Sequence, residues 1–116
     1  MSCIIIMHPR QEPMLWDTPD VLSGDNDFRT LQTIIGGYIE VVHPDGFPQD
    51  VILICNEEGK LRDLPFNFYI EICQYPDAIC GTAVFCAEGI VDGEPDLVPL
   101  TYSQAESVAR ALRSTI

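Results

Sequence analysis

The sequence predicts an α+β domain: a mixed, mainly antiparallel sheet of four or five strands packed against two helices. Three observations carry that expectation. Short apolar or β-branched runs recur along the chain, as in Cys3–Met7, Val51–Cys55 and Ala78–Ala87. Helical periodicity occurs in two places, after Asp25 and near the end of the chain. Between these stretches lie Pro, Gly, Asn and Asp clusters of the kind that terminate elements.

Taken in order, Cys3–Met7 reads as a short buried strand. Residues 8–26 read as an irregular insertion, because Pro9, Pro13 and Pro19 interrupt every candidate element. Within it Met14-Leu15-Trp16 is an apolar knot, whose tryptophan is expected to plug one edge of the core rather than be displayed. Asp25-Asn26-Asp27 opens a helix with Phe28, Leu31, Ile34 and Ile35 on one face, and Gly36-Gly37 closes it. Tyr38–His43 is a strand that turns at Pro44-Asp45-Gly46. Val51–Cys55 is apolar at every position, as expected of a central strand buried on both faces. Asn56-Glu57-Glu58-Gly59 is a turn, and residues 66–75 suit either a strand or a helical turn. Ala78–Ala87 is a strand with Gly81 as a bulge or close-approach site. Residues 88–99 read as an acidic loop. In the last helix Thr101-x-x-Gln104 and Ser103-x-x-Glu106 form overlapping capping boxes, and Ala105, Val108 and Leu112 share a face.

At 116 residues, 47% apolar and 21% charged, the chain is sized for a single domain over residues 1–116. Eighteen acidic against six basic residues give a net charge of −12. That balance argues against direct nucleic-acid binding and against adhesion to anionic membranes. No basic leader with a long apolar run is recognisable, so a soluble, cytoplasmic protein is expected. Five cysteines, an odd number, suit reduced thiols; the spacing of Cys73, Cys80 and Cys86 lacks any Cys-x-x-Cys or Cys-x-x-His pair. Neither a metal nor a cofactor is expected.

The segment Ile35-Gly36-Gly37-Tyr38-Ile39-Glu40-Val41-Val42 is followed by Asn56-Glu57-Glu58-Gly59-Lys60-Leu61 and then by Leu64-Pro65-x-Asn67. Asp77-Ala78-Ile79-x-Gly81-Thr82-Ala83 completes the series. Together these motifs resemble the uncharacterised domain-of-unknown-function family 3846 of phages and mobile elements, over roughly residues 30–112. The resemblance implies a small α+β domain carried on mobile DNA, and no activity. Residues 8–26 depart from the pattern.

No catalytic residues are assigned. A His43–cysteine pair would need contact in space, and no nucleophile-elbow, zinc-protease or phosphate-loop motif occurs. The leading expectation is therefore a non-enzymatic inhibitor of a host defence protein, such as a CRISPR or restriction effector. It would bind a basic, nucleic-acid-binding partner through Asp45, Asp50, Glu57, Glu58, Glu88, Asp92, Glu94 and Asp96. The alternative is a module that binds or sequesters a nucleotide-like signal at Asn56, Lys60, Arg62 and Asn67, with asparagines reading an edge and Arg62 holding a phosphate. Self-association is compatible with either.

Overall fold

The apolar stretches Cys3–Met7, Val51–Cys55 and Ala83–Ala87 become the middle strands of one sheet. The computed structural model describes residues 2–17 and 25–115. Along them run β1 (Ser2–Met7), β2 (Met14–Trp16), α1 (Asp25–Ile35), β3 (Ile39–Val42), β4 (Val51–Asn56) and β5 (Phe66–Ile72). Then come β6 (Tyr75–Cys80), β7 (Ala83–Val91), β8 (Glu94–Val98), β9 (Leu100–Thr101) and α2 (Tyr102–Thr115). The α+β class with a mainly antiparallel sheet is the fold the chain adopts. Five strands follow the path β2-β1-β7-β4-β3, while β8 pairs with β7 and β9 with β1. Each of these pairings is antiparallel, as is the separate β5–β6 hairpin.

Strand alternation explains why β1, β4 and β7 are apolar at nearly every position. Ile4, Ile6, Ile52, Ile54, Val84 and Cys86 face one side, where Leu31 and Ile35 of α1 cover them. Their neighbours face the opposite side. There Cys3, Ile5, Leu53, Cys55 and Phe85 meet Phe68, Ile70 and Ile79 of the hairpin and Ala105, Val108 and Leu112 of α2. The sheet is thus the middle of three layers. Each large side chain buried in it contributes about 1.5–3 kcal/mol. Phe85 stands at the centre of the second core, with ring centroids 5.3 Å from Phe47 and 6.1 Å from Phe68.

Local signals set the ends of the elements. Gly36 adopts φ +85°, and the N–H groups of Gly36 and Gly37 both donate to the Gln32 carbonyl, which closes α1. The side chains of residues 25–28, including Phe28, and the whole of residues 18–24 lie outside the described residues. At α2 the expected capping box forms: Gln104 N–H donates to Thr101 Oγ1, and Thr101 N–H donates to Gln104 Oε1.

Four expectations need correction. Ala78–Ala87 is not one strand: it breaks at Gly81, with its first three residues ending β6 in the hairpin and Ala83–Ala87 opening β7 of the main sheet. Residues 8–26 are not wholly irregular, because Met14–Trp16 pairs with β1 as an edge strand. Trp16 is not a plug: it is 39% exposed, beside Met14 and Leu15 at 47% and 53%. Residues 88–99 are not a loop. β7 continues to Val91 and returns as β8 through Asp92-Gly93, whose φ values of 52° and 80° are those of a two-residue hairpin turn. The undecided stretch 66–75 is strand, and its turn at Cys73-Gln74 also has positive φ at both residues.

Candidate functional site

Two groups of polar residues stand out. The first surrounds the end of β4, where Asn56 follows Ile52 and Ile54 onto the α1 side of the sheet. Asn56 is 7% exposed, and its Oδ1 accepts the Glu58 N–H at 2.8 Å, which fixes the amide orientation. The Nδ2 atom has no hydrogen-bond partner and is closed off from solvent. Gly37 lies against it. A Cβ on Gly37 would stand 3.0 Å from Asn56 Nδ2 and 3.3 Å from Arg62 Nη1. Both side chains therefore pack close against the bare glycine, where a Cβ would crowd them. Arg62 reaches Gly37 from the turn after β4, where its N–H bonds the Glu58 carbonyl.

That turn also depends on Gly59. A Cβ there would come within 2.6 Å of the Cys80 carbonyl oxygen, which is backbone and has little room to give. Gly59→Ala is expected to lower unfolding free energy by about 1–3 kcal/mol through overpacking. Urea titration followed by circular dichroism measures it, and an unchanged midpoint would show that the turn relaxes.

The second group is acidic. Asp45 and Asp50 lie between β3 and β4, and the Glu88 N–H donates to the Asp50 carbonyl. Glu88, Asp92, Glu94 and Asp96 follow on β7, its turn and β8. Beyond Ala87, β7 keeps β8 as its one pairing partner, so this ribbon projects past the sheet with Ile90 71% exposed. Segments 43–50, 71–75 and 88–96 make this end of the molecule and contain no Lys or Arg. Glu57 and Glu58 do not join it. They sit past the other end of β4, roughly 17 Å away at about 3.3 Å per residue.

The profile of one family, described as "Domain of unknown function (DUF3846)", matches residues 1–113. The chain belongs to the DUF3846 family. No curated protein and no solved structure matches it. The DUF3846 match takes in β1, β2 and the 8–26 stretch, more than the expected 30–112.

Within this DUF3846 domain the expected ligand residues separate. Asn67 Nδ2 donates to the Met7 carbonyl at 2.8 Å and the Gly81 carbonyl at 2.9 Å, so its amide ties β1 to the β6–β7 connection. Lys60 pairs with Asp77, and that hydrogen bond raises the ammonium above its ordinary value. It lines a cleft of about 440 Å³ with Glu40, Cys55 and Ile79. Asn56 and Arg62 come together at Gly37, which the sequence marked as a helix end and as part of the family motif but not as their neighbour. His43 bonds Glu88, and His8 Nδ1 lies 3.0 Å from Thr82 Oγ1; each histidine is occupied by an oxygen rather than a thiol. Cys86 is buried in the α1-side core, Cys80 is on β6 and Cys73 is exposed in a turn. Among the described residues, no group of three or more His, Cys, Asp or Glu is arranged to hold a metal ion.

Proposed function

We propose that this DUF3846 protein is a small, acidic, non-enzymatic binding protein of phage or mobile-element origin. It acts in the cytoplasm on a basic, nucleic-acid-binding protein of host defence, such as a CRISPR or restriction effector. The observation that carries this reading is the gathering of Asp45, Asp50, Glu88, Asp92, Glu94 and Asp96 at one end, around a projecting ribbon with Ile90 exposed. A carboxylate array of this kind can occupy a phosphate-tracking groove, while an aliphatic tip supplies the desolvated anchor that fixed charges lack. A charge of −12 also exceeds the magnitude of about 2–8 that solubility requires of a small domain. The second acidic pair, Glu57 and Glu58, is too far away to share the same footprint.

Capture of host proteins on the immobilised chain tests the proposal. The bound partner is expected to be basic and to be released by salt, with association falling steeply as ionic strength rises. Glu94→Lys with Asp96→Lys is expected to slow association at least tenfold, while Glu57→Lys has little effect. DNA or RNA should compete. Salt-indifferent binding, or a ternary complex with nucleic acid, would overturn the acidic-decoy mechanism.

A further inference from the structure

We infer that the outer edge of β3 accepts an extended segment of a partner protein, bearing a lysine or arginine, as an added strand. This surface is separate from the acidic ribbon, and its role does not rest on that of the ribbon.

β3 holds unclaimed hydrogen-bonding groups. The Glu57 N–H donates to the Tyr38 carbonyl at 3.0 Å, and the same register sets Glu40 opposite Cys55 and Val42 opposite Leu53. Bonded pairs alternate along an antiparallel ladder, so Ile39 and Val41 turn their N–H and C=O groups away from β4. Among the described residues, no strand or turn takes up those groups. Other edges of the fold are blunted. β2 has three residues, and β6 and β8 carry Pro76 and Pro95. β3 has no proline, no lysine and no register shift. An edge in that state is a template for another strand.

A trench runs along this edge. Two clefts of about 440 and 470 Å³ adjoin, since both are lined by Glu40, Val42 and Asp77. All of Glu40–His43 line the second, although their side chains alternate between the faces of the sheet. The edge of the strand itself therefore borders the opening. β6 forms the far wall through Pro76, Asp77 and Ala78.

Charge selects the occupant. Glu40 and Glu57 line the trench, and the one cation there, Lys60, is held by Asp77. Neither glutamate has an ion-pair partner among the described residues. A guest residue opposite Glu40 projects on the same face, where a lysine or arginine meets that carboxylate. Its two neighbours project on the other face beside Ile39 and the exposed Val41, and suit valine or isoleucine. A second copy of this chain fits worse. Antiparallel pairing of β3 with β3 sets Glu40 opposite or diagonal to its counterpart and joins two molecules of charge −12.

Backbone amide NMR of the full chain tests this assignment, with the blocked peptides Thr-Val-Lys-Val-Thr and Thr-Val-Glu-Val-Thr as probes. The lysine peptide is expected to shift the Ile39 and Val41 N–H signals saturably and to slow their exchange with solvent. The glutamate peptide is expected to bind about fivefold more weakly, and Glu40→Lys to reverse the preference. A lysine peptide N-methylated at every residue keeps its charge, loses its backbone donors and is expected not to bind. Equal binding of the methylated peptide, or shifts confined to residues 88–96, would mean that charge alone attracts the peptide and would overturn strand addition. No saturable shift at Ile39 or Val41 would overturn the site. Dimerisation through β3 in the absence of peptide would make a second copy the occupant and overturn the partner assignment.

Discussion

Phe85→Ala is expected to remove about 3–5 kcal/mol of unfolding free energy, the cost of a large aromatic deleted from a closed core. Phe85 is fully buried on β7, between β1 and β4, and its ring meets Phe47 of the β3–β4 connection and Phe68 of the β5–β6 hairpin. One side chain therefore joins the sheet, a loop and the hairpin layer. Domains hold about 5–15 kcal/mol in total, so the variant sits near the limit of folding. Urea denaturation by far-ultraviolet circular dichroism gives the number. A loss below about 1 kcal/mol would mean that neighbouring side chains collapse into the space.

The second large effect is alkaline. Burial pushes the Cys55 and Cys86 thiols from an ordinary 9.0 up to about 12, and burial also raises Cys3. A thiol held neutral in the folded state keeps its proton where the unfolded chain has lost it. Its stabilising contribution is whole below pH 9 and drains away as pH climbs toward about 12. Each such thiol adds a slope of about 1.4 kcal/mol per pH unit within that window. Unfolding free energies measured across the window should fall steeply, and Cys86→Ala should flatten the slope by one thiol's share. An identical slope in the variant would remove Cys86 from the explanation.

What could be read from sequence was whatever is decided by neighbours along the chain. Val51–Cys55 announced a strand covered on both faces because every position is apolar, and α1 and α2 carried their own periodicity and caps. Composition misled where it outweighed geometry. The acids and prolines of residues 88–99 suggested a loop, although Asp92-Gly93 is itself a hairpin turn signal. β2 escaped because three residues among prolines give too short a pattern, and pairing with β1 supplies what local preference does not. The site was half legible. Asn56 and Arg62 were singled out for their chemistry, but Asn67 could not be told apart from them. Its partners, Met7 and Gly81, lie 60 and 14 residues away in the chain. The packing of Gly37 against Asn56 and Arg62 was invisible because it brings the end of α1 to the turn after β4, from another part of the chain.

The projecting ribbon also bears on how such a domain can evolve. Residues 88–96 contribute no side chain to either core, and the Asp92-Gly93 turn is all that their return requires. Substitutions at its exposed positions therefore leave the folding free energy nearly unchanged, Gly89 excepted, where a Cβ would press on Val98 at 3.0 Å. This part of the molecule can diversify at the pace of whatever it meets, under no constraint from the interior.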